Sequence, residues 1–394
     1  MIRTNPPLFQ LLDPRLYRQL SLHPTTKSLL EAEFYAQHKD TLEKLVNSSQ
    51  TLTQEPKPAI EKKNLKIVSW NIEKGKNLSG ILKTLQTEKE LTDPDILVLI
   101  EVDMGMFRSG NRNIALEIAQ ALGMNGIYHT NYLELSLGDQ EEQSIIAAQG
   151  LAASNTIGLH GNAILFRGEL LSHQAISLPD CLDPMTSFQK RCGANKASLA
   201  IIQTPQLGPV SIVGVHLDID TTIECRTLQA QFLSQYLQAT KIPEPIIMCG
   251  DFNTTTLDRS QRYRLLKEGG WLMLRREEPL RRQFLEPWNR EPLFQFLEKD
   301  GFLYKPYNIL SIPTAFYPYY RLKILEKAVP SWSLPLIQWK FSRLPWPGLP
   351  LELDWFFIKG IPAATQARPA IVEVESISPN RISDHLPLIL NLRR

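Results

Sequence analysis

The sequence is short of cysteine, with four in 394 residues: Cys181, Cys192, Cys225 and Cys249. None forms a CxxC pair or has a close histidine partner, which excludes a zinc knuckle and a redox dithiol, and four is too few for a disulfide scaffold. Free cysteine is among the most buried residue types, so reduced, buried thiols in a cytoplasmic protein are the expectation. An excess of one charge is missing too. The 43 Lys and Arg against 41 Asp and Glu leave a net charge of +2, which excludes a strongly basic nucleic-acid coat while leaving room for a local basic groove. Long apolar runs are absent: the uncharged stretch Ala328–Trp339 carries Pro330 and Pro335 and falls well short of the roughly 20 residues that span a bilayer. No transmembrane segment is expected. The opening residues Met1 to Pro7 lack a basic region followed by an apolar one, so no secretory signal is expected either. There is no internal repeat and no low-complexity tract.

What is present is an ordinary globular composition, 43% apolar and 21% charged, which excludes global disorder. A prior of about 150 residues per domain allows two or three domains. Residues 1–63 differ from the rest. Leu29, Leu30, Glu33, Phe34, His38, Leu42 and Leu45 recur at helical spacing, and the polar stretch Asn47–Lys63 follows with Pro56 and Pro58, which predicts a helical N-terminal arm and a linker. From Leu65 onward, short β-branched runs alternate with turns and helix-period segments. They predict strands at 66–70, 96–100, 162–166, 198–203, 210–215, 246–249, 355–358, 370–374 and 386–392. Helices are expected at 81–87, 113–122 and 223–240, the last with Leu228, Phe232, Leu233, Tyr236 and Leu237 on one face.

The informative residues are those that end the apolar runs. Ile67–Trp70 runs into Asn71-Ile72-Glu73, Ile96–Ile100 into Glu101, Ile212–Val215 into His216, and Ile246–Gly250 into Asp251-Phe252-Asn253. Isolated buried charge is prohibitive unless paired or metal-bound, so strands that end in ionisable groups suggest a scaffold presenting one polar cluster. Asp354 precedes the run Trp355–Ile358, and Ser383-Asp384-His385 precedes Leu386–Leu390. An antiparallel partner would bring these strand starts level with the other strands' ends. Glu73, Glu101 and Asp251 with Asn71 and Asn253 offer hard oxygen donors and no thiolate, the ligand chemistry of Mg²⁺, with Mn²⁺ as the alternative. His385, its tautomer fixed by Asp354, could act at a phosphoryl centre, while Asp251 with Asn253 positions and deprotonates water. That kit suits phosphoryl hydrolysis.

These segments resemble the motifs of the endonuclease/exonuclease/phosphatase superfamily, the metal-dependent phosphoesterases that include DNase I-like nucleases, neutral sphingomyelinases and inositol polyphosphate 5-phosphatases. The likeness runs from about Lys66 to Leu392 in the family's order. Ser69 to Glu73 resembles the first motif, whose Asn and acid lie at the metal, and Ile100-Glu101 the second, whose Glu is the principal ligand. His216-Leu217, with Arg226 and Gln229 downstream, resembles the motif whose His contacts the scissile phosphate. Gly250 to Asn253 is similar to the Gly-Asp-x-Asn motif, whose Asp handles water and whose Asn binds phosphate. Asp354 matches the Asp that pairs with the catalytic His, and Ser383-Asp384-His385 the closing Ser-Asp-His, whose Asp lies near the metal. The resemblance implies an α+β fold, a four-layer α/β/β/α sandwich of two packed mixed β-sheets (DNase I-like), with the site at one edge. The catalytic set is then His216, Asp251, Asn253, Asp354 and His385, and the metal set Asn71, Glu73, Glu101 and Asp384. Substrate-binding candidates are Arg191, Asn195 and Arg226. Glu73 departs from the family, which often has Asp there.

One site drawing on Asn71 through His385 requires a catalytic domain over residues 64–394, with residues 1–63 as an appendage. Subfamily signatures are mostly missing. Lys74-Gly75-Lys76-Asn77 follows the first motif where abasic-site endonucleases differ, and Thr254-Thr255-Thr256 and Leu353-Asp354-Trp355 stand where inositol phosphatases carry other residues. The expectation is a monomeric metal-dependent hydrolase of phosphoester bonds, with a nuclease-type phosphodiesterase as default. A lipid or inositol-phosphate phosphoesterase is the alternative, and a catalytically silent binding module is the rival of another class. An aromatic, proline-rich and cationic insertion at 302–353, with Trp332, Trp339, Trp346, Tyr317, Tyr319, Tyr320, Lys323, Lys327, Lys340 and Arg343, has an interfacial composition. It is expected either to meet a lipid surface or to pack its aromatics on the body.

Overall fold

The computed structural model describes residues 14–53, 62–148, 150, 153–259, 270, 274–318, 331–346 and 348–393. Fifteen named strands carry it: β1 Ser49–Leu52, β2 Asn64–Lys74, β3 Ile96–Met104, β4 Asn125–Glu134, β5 Leu159–Phe166, β6 Glu169–Ser177, β7 Arg191–Gly193, β8 Lys196–Thr204, β9 Gly208–His216, β10 Ile246–Asp251, β11 Ala315–Pro318, β12 Gly348–Leu351, β13 Asp354–Lys359, β14 Gln366–Ile371 and β15 Leu388–Arg393. The larger sheet has the order β1-β4-β5-β3-β2-β15-β14 with β7 on β4, the second has β13-β10-β9-β8-β6, and β11–β12 pair alone. Only β2–β3 and β9–β10 are parallel, so both sheets are mixed.

Alternation along each strand explains how the sheets stack. Leu65, Ile67, Val98, Ile100, Ile164 and Leu390 of the larger sheet meet Ile212, Ile247, Cys249, Phe356 and Ile358 of the other in one buried cluster. The opposite faces, Val68, Trp70, Leu97 and Leu99 on one sheet and Val213, Val215, Met248, Trp355 and Phe357 on the other, join separate outer clusters. Helices α4 Leu78–Thr87 and α5 Ile114–Leu122 cover the first, α6 Gln140–Ala148 follows β4 in the chain, and α7 Ile223–Ala239 with a helix at Leu293–Lys299 covers the second. This is the four-layer α/β/β/α sandwich expected. On α7, however, Leu228 and Phe232 are 50% and 37% exposed. The buried face instead carries Arg226, Gln229, Ala230, Leu233, Ser234 and Leu237, because its polar members find partners in Glu291, Asp218 and Asp300.

Three further expectations change. The arm (α1 Pro14–Ser21, α2 Thr26–Leu30, α3 Glu33–Val46) leads not into a linker alone but into β1, the edge strand of the larger sheet against β4. The Lys196 ammonium donates to the carbonyls of Val46 and Thr130, and Lys190 to those of Ser21 and His23, so the arm is stitched to the body. Pro56 and Pro58 lie outside the described residues. The cysteines are not all reduced: Cys181 and Cys225 form a disulfide with Cα atoms 6.1 Å apart, while Cys192 and Cys249 are free and buried. The loop around Cys181 is drawn to the start of α7 because the Gln229 side chain donates to the Pro179 carbonyl. The 302–353 insertion divides. Phe302 and Tyr304 are core residues beside Trp355 and Phe294, and β11 and β12 pair antiparallel. Tyr319, Tyr320, Lys323 and Lys327 lie outside the described residues. No helix among the described residues is long and apolar enough to cross a membrane.

Candidate active site

The face that builds the core runs out into the polar cluster. In the alternation of β2, β9, β10 and β13, Asn71, His216, Asp251 and Asp354 fall in line with Ile67, Ile212, Ile247 and Phe356. Register then sets them side by side: Asp251 is opposite His216 on the parallel β9 and opposite Asp354 on the antiparallel β13. A strand start thus stands level with two strand ends. Gly250 is required here, because a Cβ would lie 2.1 Å from the Val215 carbonyl oxygen. The closing loop joins through Ser383, whose hydroxyl donates to the Asn71 carbonyl and accepts from the His385 amide. The indole of Trp70 donates to the His385 carbonyl.

Distances define a catalytic end. His385 Nδ1 donates to Asp354 Oδ2 at 2.9 Å, and its Nε2 lies 3.6 Å from Asp251 Oδ2. His216 Nε2 is 3.7 Å from the same oxygen and 3.8 Å from Glu101 Oε1. Asn71 Nδ2 donates to both Glu101 and Asp251 at 3.1 Å. Burial opposes charge on His385, but the carboxylates of Asp354 and Asp251 hold its pKa well above the usual imidazole range. Burial raises the Asp251 carboxyl to about 6, with Asp354 adding to the rise and His385 and His216 opposing it. A buried carboxylate poised near neutrality is what a general base for water needs. Asn253 fixes the turn rather than pointing freely: its amide N–H donates to Asp251 Oδ1 and its side chain to the Leu217 carbonyl.

The other end holds acids. Burial raises Asp384, and the nearby charges of Glu73 and Glu101 raise it further. Carboxylates crowded against one another are relieved by a cation, and Glu101, Asp384 and the amide of Asn71 offer the hard oxygen donors that Mg²⁺ or Mn²⁺ prefers. The buried trio Asp251, Asp354 and His385 also has ligand atoms within 4.8 Å of one another, but its His385–Asp354 hydrogen bond fits a tautomer-fixing dyad better than a ligand set. Backbone irregularity marks both ends: β2 and β3 shift register at Asn71/Lys74 and Leu99/Val102, and Glu73, Lys74 and Glu101 at this end, with Asn253 and Thr256 at the other, all have positive φ. Bulges re-aim side chains, and such strain collects at functional sites. The bulge at β2 turns Glu73 onto two cations. Its Oε1 accepts from Lys76 at 2.6 Å, and the Arg381 guanidinium grips both oxygens. Burial would raise Glu73, yet Lys76 and Arg381 hold it at about 2.

The cleft over these residues has a volume of about 340 Å³ and is lined by Glu73, Glu101, Asp251, Asn253, Asp384, His216 and His385, with Arg191 and Asn195 on one side. Arg191 lies over the Tyr132 ring, 5.1 Å from its centroid. Asn195 spends its amide on the His216 carbonyl and Asp218, so it positions the histidine strand. Arg226 is corrected. It is wholly buried, donates to both oxygens of Glu291 and does not line the cleft; Glu291 in turn accepts the Thr256 amide and so braces the loop after Asn253. Two contributors went unread in the sequence. Thr314 donates to Asp354 Oδ2 at 2.8 Å, and Arg381 pairs with Glu73. Thr314 directly precedes β11 and Arg381 lies two residues before Ser383, but neither belongs to a motif, so only their contacts reveal them.

The sequence matches the Endonuclease/Exonuclease/phosphatase family over residues 68–385, and no curated protein matches it. Solved structures similar to it include an endonuclease/exonuclease/phosphatase from Beutenbergia cavernae DSM 12333, at 16% identity over 84% of this chain and 72% of that one with a TM-score of 0.45. Another is a 3' phosphatase from Neisseria bound to product DNA hairpin, at 14% identity over 83% and 98% with a TM-score of 0.45. A third is sphingomyelinase C from Streptomyces griseocarneus, at 12% identity over 83% and 99% with a TM-score of 0.44. With the matched span reaching from within β2 to His385, the chain belongs to the endonuclease/exonuclease/phosphatase family, whose members hydrolyse phosphoester bonds.

Proposed function

We propose that this protein is a divalent-metal-dependent phosphodiesterase. The observation that carries the reading is the register that puts His216, Asp251 and Asp354 side by side, with His385 Nε2 3.6 Å from Asp251. A divalent cation held by oxygens of Glu101 and Asp384, with Asn71 orienting Glu101 through its Nδ2, would supply the positive charge that offsets developing charge on the phosphoryl oxygens. Asp251 orients water and takes its proton. His385, kept protonated by Asp354, donates a hydrogen bond to a non-bridging phosphoryl oxygen, and His216 and the Asn253 loop hold the phosphate from the other side.

Between nucleic acid, the default reading of the sequence, and a lipid phosphodiester, the cleft favours the lipid. Polyanions gain affinity from cations free to replace counterions. Among the described lining residues the cations already face carboxylates: Lys74 is 3.2 Å from Glu142, Arg191 3.5 Å from Glu134 and Arg259 2.8 Å from Asp220. The lining also includes the apolar side chains Phe316, Leu351 and Leu353 from the β11–β12 region. The test is a panel of DNA and RNA oligonucleotides, sphingomyelin, phosphatidylcholine and inositol phosphates, assayed with Mg²⁺, with Mn²⁺ and with chelator. Chelator-sensitive release from a lipid phosphodiester, lost in Glu101→Gln, is expected. Turnover of oligonucleotides alone rejects the lipid assignment, and chelator-insensitive hydrolysis rejects the metal.

A further inference from the structure

The described part of the insertion beyond β11 carries an apolar surface that the body does not cover. A helix at Leu334–Phe341 buries Ile337 and Phe341 against Leu280, Phe284 and Leu351. Its other side presents Trp332, 71% exposed, with Leu336 and Trp339, each 52% exposed. Trp332 and Trp339 are the exposed tryptophans among the described residues; Trp70 and Trp355 are wholly buried. Trp and Leu side chains shown to water within eight positions form a contiguous patch of the kind that marks an interaction surface.

Charge says what covers it. From Gly301 to Leu351 the sequence has one acid, Glu326, against Lys305, Arg321, Lys323, Lys327, Lys340 and Arg343. The chain as a whole is nearly neutral at +2, so basic charge is concentrated in the segment that also exposes tryptophan. Lys340, whose ammonium donates to the Arg275 carbonyl, and the exposed Arg343 stand on or just after the helix, and the Arg343 guanidinium lies 4.1 Å from the Trp339 ring centroid. Tryptophan with its amphipathic ring and basic residues with long aliphatic stems are the side chains that settle at a bilayer's headgroup level, where anionic lipid attracts the cations.

We infer that the Trp332–Leu336–Trp339 surface, with Lys340 and Arg343, docks this protein onto an anionic phospholipid bilayer. The patch is tied to the cleft by chain connectivity. The segment leaves from β11 and returns through β12, and Ala315, Phe316 and Leu351 of those strands line the cleft, while the Phe316 amide donates to the Asp384 carbonyl. Docking therefore holds the cleft wall at the lipid surface. The inference deepens the lipid reading above and rests on it for its purpose, whereas binding itself involves none of the catalytic residues.

The experiment uses the full chain in chelator, so hydrolysis plays no part. Co-sedimentation and tryptophan emission are followed with vesicles of phosphatidylcholine alone and with about 30 mol% phosphatidylserine. Wild type is expected to bind the anionic vesicles with a blue shift, and less as salt rises. Trp332→Ser/Trp339→Ser should lower that binding by about tenfold or more. Lys340→Glu/Arg343→Glu, which keeps the aromatics, should lower it on anionic vesicles specifically. Both should keep wild-type turnover of a small soluble phosphodiester, the tryptophan variant should keep wild-type thermal unfolding, and Arg343→Glu alone, which leaves the Lys340 bond to the Arg275 carbonyl in place, should show the charge-specific loss in a fully folded protein. Undiminished binding by both variants overturns the inference, as does a wild type that binds no vesicle. A wild-type dimer that the tryptophan variant converts to monomer also overturns it, because a second copy then covers the patch. Since Asp251→Asn should still bind vesicles, a failure of the hydrolytic reading is told apart from a failure of docking.

Discussion

The two ends of the cleft floor present the same kind of group to different partners. At one end Asp251 faces two imidazoles and the neutral amide of Asn71; at the other, Glu73 faces the ammonium of Lys76 and the guanidinium of Arg381. Burial raises the Asp251 carboxyl to about 6, within reach of neutral pH, while Lys76 and Arg381 hold Glu73 at about 2. The Asp251 carboxylate can therefore take up a proton near neutrality, whereas Glu73 is locked as an ion pair. Strand-end position is shared, so it is the partner that separates chemistry from support. Arg226 with Glu291, deeper still, is the extreme of the second kind.

The comparison can be broken from its strongest side first. Asp251→Asn and His385→Ala should each cut hydrolysis by about 10³-fold or more with folding retained, since each removes a proton-transferring or charge-stabilising group. Steady-state rates together with thermal unfolding measure this, and near-wild-type rates would empty the first end of its role. Arg226→Ala should act oppositely, costing about 3–5 kcal/mol of stability by leaving Glu291 buried without its partner, read as a loss of denaturant midpoint. Unchanged stability would deny that such pairs are structural.

Glu73 gives the finest test. Its carboxyl is held at about 2 against an ordinary value of 4.5, so its contribution is complete above the unfolded value and is lost as pH falls through the folded one. By linkage this is on the order of 3 kcal/mol. Glu73→Gln should therefore flatten the loss of metal-free stability between those two pH values, and should lower hydrolysis far less than Asp251→Asn. If Glu73→Gln instead abolishes hydrolysis as Asp251→Asn does, Glu73 is a working ligand and the two ends do not differ.

Much of this was readable in one dimension. The runs that end at Asn71, Glu101, His216 and Asp251 are strands because they are buried on both faces, and such strands are written as near-continuous apolar stretches. Strand β4 escaped notice for the opposite reason: His129, Thr130 and Asn131 are buried polar residues in its middle, and periodicity reads polar positions as exposed. Of the apolar face read on α7, Leu233 and Leu237 are buried while Leu228 and Phe232 are exposed, because Arg226, Gln229 and Ser234 are buried on the strength of partners far away in sequence. The pairing of Cys181 with Cys225 was likewise invisible, since spacing says nothing of which loops meet.

By itself, the sequence determined which side chains could do chemistry and on which face of each strand they lie, because a period of two is a local property of extended chain. Only the tertiary structure decided that Asp354 stands level with Asp251, that Glu73 is held by Lys76 and Arg381, that Arg226 braces a loop rather than lining the cleft, and that Trp332 and Trp339 face water. Each of these depends on a partner remote along the chain, and the free energy of a charge or an aromatic ring is set by what surrounds it in space.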